Sequence, residues 1–466
     1  MISLGLQRIS GLLATTALPW RAIHVAGTNG KGSICAYVSG MLDAYNRSEW
    51  RAFKKHAPLR HASFTSPHLV DRWDCVTVDQ GVVAEGVFRE VERRVLERDR
   101  RAGVGASEFE VLTATAFEVF TREEVDVAVV EVGMGGRLDA TNVIGQVDGL
   151  SIPDGVDPQS FRPSPLVTAI SSIGLDHQAF LGNTLEEIAR EKAGIIKPRV
   201  PVVRAPNDNA VNEVIAEVAQ TNRSPLYSTT ADDEATPARR SLLSLLDYLE
   251  AHHSPSTLPE HTRHNARTAF ITTCLALQQL GRLPIDTAQL LQPSISHPVT
   301  PAIEMFRVPW HTVFPGRQQQ LSLQNLTGRK NPILLDGAHN AQSARALHLE
   351  ISRLDYRAND RSLTWVLAAS SSKDATEILR PLLRAGDVVF TVEFGPVDGM
   401  PWVQAQSCEV LREACQAVVA SLAVRACGGD VRAALQAACE VAGEGPMVVA
   451  GSLYLVGDVL RLVREG

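Results

Sequence analysis

Short apolar runs alternate along this chain with stretches whose apolar residues recur every three or four positions. Residues 22–26 read as a buried strand, and similar runs at 61–65, 125–132 and 166–171 predict three more. The helical period predicts helices over 34–45, 85–101, 108–120, 185–193 and 210–220. Strands alternating with helices imply a parallel sheet covered on both faces. Two stretches break the alternation. Residues 144–165 carry Pro, Gly, Asp and Ser without periodicity and read as a surface insertion; residues 221–261 are mixed, with a Leu-rich piece at 241–249. Neither is expected in the core. After about residue 300 the pattern restarts, with strand-like runs at 332–335, 363–369, 387–392 and 447–450. The expectation is an α/β protein of two domains, 1–300 and 301–466, joined among the prolines of 292–315.

Composition narrows the classes. The 466 residues are 45% apolar and 21% charged, with a formal net charge of −7. That is an ordinary globular balance, too acidic for a duplex nucleic-acid partner. No apolar run reaches the roughly 18 residues of a membrane helix, so no membrane partner is expected either. Cys35, Cys75, Cys274, Cys408, Cys415, Cys427 and Cys439 form no CxxC pair. Such a set suits reduced thiols in a cytosol-like compartment and argues against a disulfide or zinc framework. No acidic residue precedes Asp43, and Arg8 lies in an amphipathic stretch, a faint likeness to a transit peptide. The first strand begins too early to leave much chain to discard, so the expected location is cytoplasmic, with a mitochondrial one as the alternative.

Candidate chemistry begins with Gly27-Thr28-Asn29-Gly30-Lys31-Gly32-Ser33, between the first strand and the first long helix. Phosphates ask for inward backbone N–H groups, close-approach glycines, a helix N-terminus and a lysine, and all four are present. The spacing departs from GxxxxGK[ST], because Gly32 follows the lysine and the hydroxyl arrives at Ser33. The plain alternative is a glycine-rich turn; a lysine bracketed by glycines favours a nucleotide. Glu131 closes a strand before Gly133-Met134-Gly135-Gly136-Arg137, where it can hold Mg²⁺ against a phosphate or simply end the strand. His177, in Gly174-Leu175-Asp176-His177, reads more readily as structural than as a ligand, and Asp176 as a helix cap or an acid. Lys192, in the last turn of a helix closed by Gly194 and Pro198, reads by itself as a solvated residue complementing the helix dipole. Thr65-Ser66-Pro67-His68 reads as a turn. Asp336-Gly337-Ala338-His339-Asn340 either caps a helix or reaches a ligand, and Arg317 is a phosphate clamp or a surface arginine.

In this order the motifs resemble the folylpolyglutamate synthase and dihydrofolate synthase family, a branch of the Mur ligases. The matches are Leu4-Gly5-Leu6-Gln7-Arg8, His24-Val25-Ala26 with the glycine loop, Phe64-Thr65-Ser66-Pro67-His68-Leu69 and Glu131 through Asn142. Gly174-Leu175-Asp176-His177, Glu191-Lys192-Ala193-Gly194-Ile195 and Asp336-Gly337-Ala338-His339-Asn340 complete them, so the resemblance spans nearly the whole chain. It implies a P-loop NTPase-like parallel-sheet domain followed by a smaller Rossmann-like domain. It also implies an ATP-dependent ligase joining L-glutamate to 7,8-dihydropteroate or a folate through an acyl phosphate, with domain closure excluding water.

By the same resemblance, Gly27, Thr28, Asn29, Gly30, Lys31, Gly32 and Ser33 bind ATP, and Lys31 neutralises the transferring phosphoryl group. Ser66, Glu131, His177 and Lys192 are the implied metal set, for two Mg²⁺ ions, with Lys192 carbamylated. Asn265, Arg317 and Asp336 are implied nucleotide contacts, with His339 near the transferred phosphate. The substrate pocket would draw on Leu4, Gly5, Leu6 and Gln7, on Ser107, Glu108, Phe109 and Glu110, and on Leu138, Asp139 and Ala140.

Some positions depart from the pattern. His261-Thr262-Arg263-His264-Asn265-Ala266 stands where the family has His-Gln-x-x-Asn-Ala, and Ala341 replaces the proline after Asp-Gly-Ala-His-Asn. The opening Leu4-Gly5-Leu6 and Val397-Asp398-Gly399-Met400-Pro401-Trp402 look most like the fungal dihydrofolate synthase branch. Folylpolyglutamate synthase and a dual enzyme are the alternatives within the class. A catalytically silent nucleotide-binding regulator and a P-loop motor or switch are the alternatives outside it. A monomer working on small molecules is the expectation.

Overall fold

The computed structural model describes residues 4–148, 151–230, 237–284 and 301–465. The chain divides into two compact units, Met1–Ser66 with Cys75–Thr312, and Pro67–Asp74 with Val313–Gly466.

The first unit is built on eight strands: β1 (Arg21–Ala26), β2 (His61–Phe64), β3 (Val76–Val78), β4 (Gly81–Val82), β5 (Val127–Glu131), β6 (Val167–Ile170), β7 (Val202–Arg204) and β8 (Leu226–Ser228). Their order in the sheet is β4-β3-β2-β5-β1-β6-β7-β8, parallel except for the β3 and β4 pairings. The central strands are buried along their length, which is why they read as continuous apolar runs rather than alternating ones.

One face of the sheet is covered by α2 (Lys31–Arg47), α6 (Glu260–Gln279) and α7 (Ala302–His311), with α1 (Gln7–Leu12), α3 (Glu108–Arg122), α4 (Leu185–Ala193) and α5 (Pro237–His253) completing the elements used below. Ile23, Val25, Val127 and Val129 join Ile34, Val38 and Met41 of α2, Phe270 and Cys274 of α6, and Met305 and Phe306 of α7 in one core. Leu242, Leu245, Leu246 and Leu249 of α5 belong to it too. The Leu-rich piece of 221–261 is therefore core, against the sequence expectation, because its leucines recur at helical spacing and bury one stripe. Residues 231–236 lie outside the described residues. On the other face Ala26, Ile170 and Val202 pack with Ile188, Ile195 and Ile215.

The insertion at 144–165 is mostly exposed in its middle, but its end is not. Phe161 and Arg162 are buried, and the Arg162 guanidinium donates to the Leu13 carbonyl at 2.6 Å, past the end of α1. Residues 149–150 lie outside the described residues.

The second unit carries a six-stranded sheet of β9 (Gln319–Leu321), β10 (Ile333–Leu335), β11 (Thr364–Leu367), β12 (Val388–Thr391), β13 (Ala423–Ala426) and β14 (Met447–Ala450). The order is β13-β12-β11-β14-β10-β9, with only β9 antiparallel. Asp387 is fully buried, but the Arg357 guanidinium, the Trp365 indole N–H and the Leu363 N–H all donate to its carboxylate.

The units differ from a linear 1–300 and 301–466 division at two places. Helix α7 lies with the first unit, because Met305 and Phe306 fill its core. Pro67–Asp74 lies with the second, where the Asp74 carboxylate accepts the N–H groups of Leu69, Val70 and Asp71, and Arg461 donates to the Val70 carbonyl. The prolines of 292–300 lie outside the described residues. Leu246→Ala on α5 is expected to lower unfolding free energy by about 2–5 kcal/mol through lost burial and a cavity. Urea denaturation checks this; an unchanged midpoint would mean α5 is not core.

Candidate functional site

Parallel strands send their carboxyl ends to one edge of the sheet, and the first unit gathers its chemistry there. β1 runs into the glycine loop, β5 beside it ends on Glu131, and β6 on its other side runs into Ser171 and Ser172.

The loop is shaped by what cannot fit. Gly27 has φ 144°, and a Cβ there would lie 1.7 Å from the Ser171 hydroxyl. Gly30 has φ 89°, and its Cβ would lie 2.3 Å from the Asn265 side-chain oxygen. Both positions need glycine for room and for backbone conformation. The Thr28 and Asn29 N–H groups donate to the Ser172 carbonyl, and Thr28 Oγ1 both donates to the Gly174 carbonyl and accepts its N–H. So anchored, the chain turns into α2 at Lys31, where a helix's first N–H groups have no intrahelical acceptor and face outward.

Lys31 Nζ lies 3.2 Å from the Thr28 carbonyl and 3.8 Å from Glu131 Oε1. Glu131 is buried, and its Oε2 accepts the Ser66 N–H at 3.2 Å. Lys192 is not the solvated residue its position on α4 suggests. It is buried, with Nζ donating to the Gly27 carbonyl at 2.7 Å. Burial and the nearby Lys31 ammonium lower its pKa to about 7, opposed by Asp176 and Asp139.

His177 has a left-handed backbone at φ 53° and a half-exposed ring whose Nε2 is 3.9 Å from Asp176. The Asp176 carboxylate accepts the His177 N–H rather than capping the short helix at Gln178–Leu181. Among the described residues no three His, Cys, Asp or Glu side chains gather as a metal cage. The Glu131 carboxylate and the Ser66 hydroxyl are oxygen donors of the kind Mg²⁺ takes while retaining much of its water.

On the side assigned to substrate, the Arg8 guanidinium just inside α1 and the Ser107 N–H both donate to the Glu110 carboxylate, at 2.8 and 2.7 Å. Ser107 and Glu110 form a capping box at the start of α3, while Glu108 is exposed. The Phe109 ring stacks on Phe64 at 6.2 Å and fills the space beside Gly133, where a Cβ would lie 2.3 Å from it. Leu4 packs against the core that holds Ala26 and Ile170. Asp139 is buried and caps the 3₁₀ turn Ala140–Val143, while Leu138 beside it is half-buried.

In the second unit, Asp336 follows β10 and accepts the N–H groups of Gln318 and Ala338, both at 2.8 Å. Burial pushes its pKa up to about 6, against the pull of Arg317. Arg317 lies 5.7 Å over the Phe314 ring. His339 Nδ1 is 2.8 Å from the Gly337 carbonyl, so Nδ1 carries the proton and Nε2 is the basic nitrogen. The following helix is capped by Asn340, not by Asp336 or His339, since Asn340 Oδ1 accepts the Ser343 N–H.

Sequence reasoning missed Ser172, His24, Thr141 and Lys197. The Lys197 ammonium donates to the Asn142 carbonyl, and burial lowers its pKa to about 8. Ser172 had a usable signal in its place just past a strand next to β1, and His24 in being a polar residue within an apolar strand.

The family described as "Dihydrofolate synthetase, C-terminal domain" matches residues 319–462. The chain is 33% identical over 468 residues to the probable dihydrofolate synthetase of Schizosaccharomyces pombe, covering 99% of each. It is 32% identical over 475 residues to the dihydrofolate synthetase of Saccharomyces cerevisiae, covering 99% of this chain and 98% of that one. Among solved structures it is similar to E. coli FolC in complex with DHPP and ADP, with TM-score 0.71, 24% identity and coverage of 100% of this chain and 94% of that one.

Gly27→Ala must displace either the loop or Ser171. Binding of a non-hydrolysable ATP analogue is expected to weaken about tenfold or more in protein that still folds, with the melting temperature lowered by the strain. Titration calorimetry checks this, and wild-type affinity would remove the loop from the nucleotide site.

Proposed function

The chain belongs to the dihydrofolate synthase and folylpolyglutamate synthase family, and from that premise we propose that it is a dihydrofolate synthase. The reaction joins L-glutamate to 7,8-dihydropteroate at the expense of ATP, giving dihydrofolate, ADP and phosphate. The observation that carries this reading is end-to-end similarity to two fungal dihydrofolate synthetases, with the glycine loop, Lys31 and Glu131 assembled at one sheet edge.

A carboxylate is a poor acyl donor until one of its oxygens becomes a good leaving group. The dihydropteroate carboxylate attacks the γ-phosphorus of ATP, ADP departs, and an acyl phosphate forms. The neutral amine of glutamate then adds to the carbonyl carbon, and the tetrahedral intermediate expels phosphate. The first-turn N–H groups of α2 and the Lys31 ammonium hold the phosphates and offset the charge that builds during transfer. Glu131, the Ser66 hydroxyl and His177, with Lys192 once its amine is carbamylated, would hold Mg²⁺, which supplies charge neutralisation at the phosphates when bound. Asn265 lies against Gly30, and the family resemblance implies that it, Arg317 and Asp336 are nucleotide contacts. His339, basic at Nε2, serves the transferred phosphate. Leu4–Gln7, Ser107–Glu110 and Leu138–Ala140 shape the substrate side, where Phe109 offers an aromatic face.

The reading is tested with purified protein, Mg-ATP and labelled glutamate, offering 7,8-dihydropteroate in one reaction and a tetrahydrofolate monoglutamate in another. Labelled product from dihydropteroate alone is expected. Product from the folate alone would make the protein a folylpolyglutamate synthase, and product from neither would make it a silent nucleotide binder.

Lys192 is the residue at which the family resemblance implies a carbamate, and its buried amine suits one. Carbamate formation needs the neutral amine, and with a pKa of about 7 roughly a tenth is neutral at pH 6 and nine-tenths at pH 8. A ¹³C carbamate signal from labelled bicarbonate is therefore expected to grow from pH 6 to pH 8 and to vanish in Lys192→Arg. A signal that persists in Lys192→Arg would move the adduct elsewhere.

A further inference from the structure

His24 is a polar residue in the middle of β1, flanked by Ile23 and Val25, and it is wholly buried. Its Nε2 lies 2.9 Å from the Thr141 hydroxyl, which in turn lies 2.5 Å from Asp139 Oδ1. Asp139 also accepts the Thr141 N–H at 3.0 Å and, on its other oxygen, the Met134 N–H at 2.8 Å. The chain of contacts thus runs from the strand that feeds the glycine loop to the turn after Glu131.

The proton on each group follows from the count of donors. Asp139 receives backbone N–H groups on both oxygens, the pattern of an ionised, acceptor-only carboxylate. The short contact to Thr141 is then the hydroxyl donating to Oδ1. Thr141 has one proton, already committed, so its oxygen offers His24 only lone pairs, and Nε2 must carry the imidazole proton. Nδ1 is then bare, which agrees with its having no hydrogen-bond partner among the described residues. A bare ring nitrogen is the milder group to bury, since an N–H there would be a stranded donor. Burial and Lys197 lower the pKa of His24 to about 3, so the ring stays neutral.

With the opposite tautomer the direction reverses. Nε2 would take the Thr141 proton, Asp139 would lose its strongest donor, and the turn held by Asp139 through Met134 would loosen. We propose that His24 is a positioning residue: as its Nε2–H tautomer it turns the Thr141 hydroxyl onto Asp139 and holds the Met134–Asp139 turn in shape for the acceptor substrate. This rests on the reading of Leu138–Ala140 as substrate-side. It sets His24 behind the site, touching neither nucleotide nor substrate, and makes β1 support both.

The test uses the full chain as His24→Leu, Thr141→Val, the double variant and His24→Gln, whose amide N–H₂ can replace the lost donor. His24→Leu and Thr141→Val are each expected to raise the KM for dihydropteroate about tenfold and leave the KM for ATP within about twofold. The double variant is expected to be no worse than the worse single one, because both cut the same chain. His24→Gln should recover most of the loss. Additive effects, an equal rise in the KM for ATP, or no rescue by Gln would overturn the proposal. If His24→Leu does not fold, Thr141→Val carries the same KM comparison. The ¹⁵N spectrum of the histidines, with His24 assigned by its disappearance in His24→Gln, should show a protonated Nε2 and a bare Nδ1. A protonated Nδ1 would overturn the arrangement outright. That spectrum needs no turnover, so it judges His24 even where dihydropteroate proves to be the wrong acceptor.

Discussion

The closeness of β1 to β6 at their carboxyl ends is the constraint on which the site depends. The backbone of Gly27 passes so near Ser171 that no side chain fits between them, and Thr28 and Asn29 hang from the Ser172 carbonyl. That contact lets the loop turn sharply into α2 and aim the helix's first N–H groups out of the sheet edge. It also leaves the Gly27 carbonyl facing the interior, where the Lys192 ammonium is its donor. A wider spacing would lose both the sharp turn into α2 and the acceptor that keeps a buried amine hydrogen-bonded.

Electrostatics follow from this packing. Lys31, Lys192 and Lys197 are drawn toward a few buried carboxylates and carbonyls. Lys31 faces Glu131; Lys192 donates to the Gly27 carbonyl and Lys197 to the Asn142 carbonyl, and burial shifts both toward neutrality. Burial disfavours the charge on Asp139 as well, raising its pKa, while hydrogen bonds from its own turn oppose the shift. Such an edge suits a polyanionic ligand, which brings the negative charge the fold leaves short. The second unit treats charge differently. Asp387 is buried but answered by Arg357 and the Trp365 indole, a structural pair, whereas Asp336, which accepts the Gln318 and Ala338 N–H groups, is pushed toward protonation by burial against the pull of Arg317.

The alternation of strands and helices was legible because parallel strands buried on both faces must be apolar throughout, so β1, β5 and β6 stood out. Glycines flanking a lysine were legible because few residues tolerate those backbone angles. Lys192 was not. A lysine in the last turn of a helix looks solvated in one dimension, and only the approach of α4 to the end of β1 buries it. The leucines of α5 misled for a related reason: the polar and proline-rich segments around them hid a buried stripe. The partition between units was only partly readable, since Pro67–Asp74 is claimed by side chains hundreds of residues away, Arg461 among them.

By itself the sequence determined the layered α/β architecture, the glycine loop between β1 and α2 and the family, because these rest on local periodicity and on residue types with narrow conformational range. Tertiary structure alone decided which lysine is buried and which nitrogen of His24 bears the proton. Those depend on distances between segments more than a hundred residues apart, and a shift of an ångström in strand or helix packing would change each of them.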